Sequence, residues 1–174
     1  MRYGSLIALV AVLAVLFLSS MAMESTTTQP VSPVATEQGH HGLALFDRIA
    51  QRSFAISPAR QREALMQLEE AVMMDHDVLH GLPHIAIARI YQAAPARPFG
   101  PGDWRKALAH LEQALSLSPE SVDAHYYYAQ LLAEQGDAFG AQRHLEQASQ
   151  RVVAHGDGYW VTGPEVEQAR RQYY

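Results

Sequence analysis

A self-similarity at a spacing of 34 residues is the feature that most restricts the fold of this chain. Two segments, 103–114 and 136–148, share a small-x3-large-x2-small pattern. The matching positions are each 34 residues apart: Ala107 and Ala141, Leu111 and Leu145, and Ala114 and Ala148. This spacing places the three residues on one face of an α-helix, where small residues let a second helix approach and the leucine covers the seam. The pattern therefore predicts a repeated pair of packed helices.

The partner helix of each repeated segment is expected upstream of it. In the last pair, Ala129 and Leu132 form a small-x-x-large pattern, and in the middle pair Ala88 and Tyr91 do the same. Gly136 and Asp137 then suit a helix end followed by the N-cap of the next helix. The first helices of these two pairs are predicted at 82–93 and 124–135.

An earlier pair follows the pattern more loosely. Its second helix repeats the three apolar positions as Ala64, Leu68 and Ala71. Its first helix is predicted around Phe46, Ile49 and Ala50, and Ser57-Pro58 is expected to open the second. The chain thus contains three helix pairs, of which the first is degenerate.

These residues resemble the tetratricopeptide repeat family, whose period is about 34 residues. The resemblance implies an all-α fold: a short solenoid of three helix pairs over residues 43–174, closed by a C-terminal capping helix that opens at Gly163-Pro164-Glu165. Oligomerisation is the alternative way to cover an open end. The middle pair spans 41 residues from Ala88 to Ala129, so seven extra residues are expected to loop out within 95–102.

The N-terminus predicts export. Residues 6–18 form an apolar run behind Arg2, and small residues precede a cleavage position after Ala22, so 1–22 are predicted as a signal peptide. The uncharged stretch 3–23 is also long enough to remain as a membrane anchor. The protein is then periplasmic if cleaved and anchored in the inner membrane if not. Residues 23–42 are polar and interrupted by proline, which predicts a flexible tether.

A narrower resemblance covers residues 82–148. The export signal, the proline- and glycine-rich insertion and the following Gly102-Asp103-x3-Ala107-x3-Leu111-x2-Ala114 are similar to the T component of tripartite ATP-independent periplasmic transporters. That family implies a helical periplasmic protein that pairs with a substrate-binding protein and is usually lipid-anchored. This chain contains no cysteine to carry a lipid.

Tetratricopeptide geometry implies that certain side chains of the first helices point into a concave groove. Such a polar and aromatic surface can hold a peptide or a helix of a partner protein. The alternative is an ordinary solvated face. The predicted groove residues are Asp47, Gln51, Ile85, Arg89, Gln92, Tyr126 and Gln130.

A metal site is the second hypothesis. Met73, Met74, His76 and His80 are soft or borderline ligands, and two histidines four residues apart share a face if the segment is helical. No nucleophile with a base, phosphate loop or other cofactor motif is recognisable, so we predict neither an enzyme nor a cofactor. The net charge of -5 disfavours nucleic acid as a partner.

The sequence thus favours an exported interaction module that acts as an adaptor or scaffold in a bacterial envelope assembly or transport system. A metal- or ligand-handling periplasmic protein is one alternative. A structural subunit, held in a membrane complex by its N-terminal helix, is the other. The identity of the protein partner does not follow from the sequence.

Overall fold

In a computed structural model, residues 32–51, 58–96 and 98–173 are described, and they form an all-helical unit. A short 3-10 segment, Val78–Gly81, precedes the third α-helix. The helices of the described residues are α1 Pro33–Gln51, α2 Pro58–Met74, α3 Leu82–Ala93, α4 Trp104–Leu117, α5 Val122–Glu134, α6 Ala138–His155 and α7 Gly163–Arg170.

Consecutive helices form three antiparallel pairs, α1 with α2, α3 with α4, and α5 with α6. The alanines predicted at the crossings, Ala88 with Ala107 and Ala129 with Ala141, are at most 1% exposed. Leu111 and Leu145 are equally buried beside them. The predicted all-α fold of three pairs in a short solenoid is confirmed.

The first helix is longer than predicted, because α1 begins at Pro33 and not after residue 42. The predicted tether is therefore wrong over 33–42. The crossing residue of this pair is Gly42, not Ala50: a Cβ built on Gly42 would come within 2.8 Å of the side chain of Leu68. Glycine and polar residues suggested a flexible segment, but packing on α2 holds them in a helix, since tertiary contacts override propensity.

The ends of the helices follow their capping residues. The Asp103 carboxylate accepts hydrogen bonds from the N–H groups of Arg105 and Lys106 at the start of α4. Asp137 caps α6 through the N–H of Gly140, and Gly136 ends α5 with a φ of 84°, where glycine is unstrained. The described residues of 95–102 contain no helix, as predicted for the insertion.

The short helix α7 closes the third pair, and its Val166 and Ala169 are buried as predicted. Thr162 and Glu165 form a capping box at its start. No helix within the described residues is long and apolar enough to cross a membrane. The predicted signal or anchor at 1–22 and the tether residues 23–31 lie outside the described residues.

Candidate partner-binding face

Side chains of α3 and α5 meet on what we call the first-helix face, the side of the molecule formed by α1, α3, α5 and α7. Arg89 donates a hydrogen bond to Oε1 of Gln130 at 3.2 Å, and Gln92 donates one to Oε1 of Glu134 at 2.9 Å. Three of the predicted groove residues, Arg89, Gln92 and Gln130, therefore lie together on this face.

The guanidinium of Arg89 also stacks on the ring of Tyr127, 4.1 Å from its centroid. Burial raises the pKa of the Tyr127 phenol to about 12, and the nearby Arg89 opposes that effect. The phenol therefore stays neutral at any physiological pH. Arg89 is fixed between a ring and an amide, a geometry for which a guanidinium is better suited than an ammonium.

The other predicted groove residues have different surroundings. Ile85 is 1% exposed and belongs to the core, so the prediction that it faces a partner is wrong. The cause is that Ile85 lies where further chain packs over α3. Gln51 lies on α1, but its side chain is outside the described residues, whereas Asp47 accepts a hydrogen bond from Nε1 of Trp160 at 2.8 Å.

Residues 157–162, which we call the strap, cross part of the first-helix face. The carboxylate of Asp123, only 2% exposed, holds the strap by three backbone bonds. The N–H groups donate to it over 2.6 Å from Tyr159, 2.8 Å from Trp160 and 2.9 Å from Val161. Burial raises the pKa of Asp123, while the three N–H donors lower it. Such a carboxylate is a strong local determinant of backbone position.

The apolar side chains of the strap complete the contact with the first pair. Trp160 packs edge-on against Phe46 with ring centroids 5.3 Å apart, and Val161 is 2% exposed. The strap therefore connects α1 to α5 across the first-helix face. Sequence reasoning missed it; the available signals were a charged residue between Val122 and Ala124 in an apolar stretch and a Trp-Val dipeptide between helices.

The rest of the face holds an open cleft between α5 and α7, above α6. Its volume is about 550 Å³. Predicted groove residues Tyr126 and Gln130 line one wall, and Leu145 of α6, which is 1% exposed, is among the lining residues. This volume lies within the range of about 300–1,000 Å³ found for ligand sites.

Each helix pair also contains one hydrogen bond between equivalent side chains. The residue four before the crossing residue of the first helix meets the residue three after that of the second helix. The pairs are Gln38 with Gln67 at 2.8 Å, His84 with His110 at 2.9 Å, and His125 with His144 at 3.1 Å. These imidazoles are thus inter-helix contacts.

The predicted metal cluster is not assembled. His76 lies in the turn after α2, and His80 has a φ of 52°, so the two do not share a helical face. The described residues contain no group of three or more His, Asp or Glu side chains placed to hold a metal ion. Met73 and Met74 are exposed at the end of α2. The helical spacing assumed in the hypothesis is wrong because α2 ends at Met74.

Comparison with known sequences gives a match over part of the chain. Residues 99–156, which include α4, α5 and α6, match a tetratricopeptide repeat family model. No curated protein matches the chain significantly.

Solved structures with the same fold include chaperones of type III secretion. The translocator chaperone SycD of Yersinia enterocolitica aligns with a TM-score of 0.59 and 13% identity, over 82% of this chain and 96% of SycD. SycD with a peptide of the translocator YopD aligns at 0.57 and 12% identity, over 82% and 96%. PcrH with the chaperone-binding region of PopD aligns at 0.53 and 15% identity, over 77% and 84%.

At such identities the likeness shows the fold alone. The family match and the three helix pairs agree with each other on the same part of the molecule. Residues 99–156 are therefore a tetratricopeptide repeat segment, within a chain whose described residues have the all-helical fold of a short solenoid.

Proposed function

We propose that this protein is an adaptor that binds a segment of a partner protein on its first-helix face. The observation that carries the proposal is the open cleft between α5 and α7, on a face where the strap is already bound as an extended segment. The fold supports it, because SycD and PcrH have been solved with segments of the translocators YopD and PopD. Tetratricopeptide arrays generally bind on the surface formed by their repeats.

We further propose that the adaptor works outside the cytoplasm, in an envelope assembly or transport system. The support is the apolar run behind Arg2 and the small residues before position 23. Sequencing the N-terminus of the mature protein, together with cell fractionation, tests this directly. A mature chain that begins after Ala22 supports a periplasmic protein, and an intact chain in the membrane fraction supports an anchor. An intact chain in the cytosol contradicts export.

The narrower resemblance to the T component of periplasmic transporters stays a prediction. It requires that the protein pairs with a substrate-binding protein. Co-purification of the tagged full chain from its native host, with identification of the bound proteins, tests that requirement. Partners without any substrate-binding protein contradict it.

The binding face can be tested by site-specific photo-crosslinking. We expect a photoreactive amino acid at Gln130, which lines the cleft, to crosslink a partner in cells of the native host. Placing an arginine in the cleft by Ala133→Arg should remove that crosslink because the side chain fills the space. Ala109→Arg, the same change at an exposed position of α4, is the matched control.

Crosslinks that persist in Ala133→Arg contradict binding in the cleft. Crosslinks of equal yield from a photoreactive residue at position 109 would show that the contact is not confined to the first-helix face. Circular dichroism of both arginine variants establishes that the helices are retained.

A further inference from the structure

The cleft between α5 and α7 combines an apolar floor with a polar rim. Leu145, Ala133 and Ala169 supply aliphatic surface, and glutamine side chains line it from both helices. Amides can donate to and accept from the backbone of a segment that lies along the cleft. The site therefore favours an extended chain with long side chains over a flat apolar surface.

The fixed charges of the cleft are all negative. Its lining residues include the carboxylates of Glu134 and Glu165 and contain no lysine, arginine or histidine. Glu165 acts across the cleft: after burial, its charge is the next largest cause that raises the pKa of the Tyr126 phenol. The nearby Arg89 is already bonded to Gln130 and stacked on Tyr127.

The phenol rings of Tyr126 and Tyr173 complete the lining. An aromatic ring attracts a cation at its face, and lysine and arginine place a charged head on an apolar stem. Both halves of such a side chain find their complement here, the stem on Leu145 and the head near a carboxylate or a ring. An apolar helix would instead bury two carboxylates without counter-charges, which is costly.

We propose that the cleft binds an extended segment of a partner protein that carries lysine or arginine. This inference rests on the proposed function and specifies the chemistry of the partner. It also accounts for the absence of a cation among the lining residues, since the partner supplies one.

Selection of phage-displayed random 12-residue peptides on the purified full chain tests the inference. We expect the selected peptides to be enriched in lysine and arginine. Labelled synthetic copies should bind more weakly when the salt concentration rises from about 50 to about 300 mM, because screening weakens attraction between exposed charges. The double variant Glu134→Gln/Glu165→Gln should weaken their binding at least about tenfold, which corresponds to about 1.4 kcal/mol.

Glutamine can replace Glu165 in the capping box, so the double variant is expected to fold. Glu37→Gln/Glu63→Gln makes the same change in net charge at exposed positions of α1 and α2 and should leave binding unchanged. If both double variants weaken binding equally, the attraction comes from net charge and the inference is overturned.

Two further results separate this inference from the proposed function. Selected peptides that are acidic or purely apolar, and that lose binding in Ala133→Arg but not in Glu134→Gln/Glu165→Gln, overturn the basic segment and leave the cleft as the binding site. Peptides that bind Ala133→Arg normally, or a selection that yields no binder, count against both.

Discussion

At the scale of single residues, Asp123 has the most consequential position, because its buried carboxylate holds three N–H groups of the strap. Asp123→Asn keeps the shape but replaces one acceptor oxygen by an NH₂ group, which then faces an N–H donor. We expect the free energy of unfolding to fall by about 2 kcal/mol, partly offset because a buried charge is removed. Urea unfolding measures the loss. Asp77→Asn, at an exposed aspartate, should change stability little, and an equal loss in that variant would contradict the role of Asp123.

The imidazole pairs give the fold a defined dependence on pH. Burial, followed by the charge of the partner imidazole, lowers the pKa of His84 and of His144 to about 4. Burial also lowers the pKa of His110 and His125. An unfolded imidazole titrates near 6.5, so the unfolded chain takes up protons first. Stability is therefore fully present above pH 6.5 and is lost as the pH falls toward 4.

Replacing one pair by glutamines copies the Gln38–Gln67 bond of the first pair into the second. His84→Gln/His110→Gln should remove about half of the loss of melting temperature between pH 7 and pH 5, since two of the four buried imidazoles are gone. The charged groups around this pair, His76, Glu69 and Lys106, remain in place. His40→Gln/His41→Gln, at exposed positions of α1, should leave the pH profile unchanged. An unaltered profile in the first variant would show that other groups control acid stability.

At the scale of helices, the crossing residue of each pair decides how closely the two helices approach. In α1 that residue is Gly42, and an alanine there would place its Cβ 2.8 Å from Cγ of Leu68. Alanine in a helix interior normally stabilises by about 1 kcal/mol relative to glycine, whereas overpacking costs about 1–3 kcal/mol. We therefore expect Gly42→Ala to destabilise the protein by about 1 kcal/mol in urea unfolding. In the double variant with Leu68→Ala, the two losses should sum to more than the measured loss.

The same residue explains how far the sequence could predict the helices. The second and third pairs were predicted because their crossing residues are alanines and their spacing is regular. In the first pair, glycine replaces alanine at the crossing and Gln38 replaces histidine beside it, so the register was placed eight residues too late, at Ala50. A helix held by contacts with α2 has no sufficient signal in its own residues.

The candidate site shows the same limit. Arg89, Gln92, Tyr126 and Gln130 were predicted because helical periodicity sets which side of a helix they occupy. The strap was not, since Trp160 and Asp47 are 113 residues apart and no local pattern joins them. Ile85 was misassigned because contact with other elements, not helical phase, determines its burial.

At the scale of the whole molecule, the strap changes how the helix pairs depend on one another. In a simple solenoid each repeat contacts only its neighbours, so terminal repeats can unfold separately. Here Trp160 packs on Phe46 and bonds to Asp47, so the residues after the third pair hold the first pair directly. The described helices should therefore unfold in one transition.

Trp160→Ala tests this dependence. We expect the variant to unfold over a broader range, with a calorimetric enthalpy that exceeds the van't Hoff enthalpy, because α1 and α2 can then separate before the third pair unfolds. Removing a buried tryptophan costs about 3–5 kcal/mol, and Trp160 is only partly buried, so the loss should be at the lower end. Tyr159→Ala is the matched control, since the side chain of Tyr159 is 60% exposed on the same strap. If Trp160→Ala lowers the melting temperature but keeps equal enthalpies, the pairs are coupled through their successive contacts and the strap adds only stability.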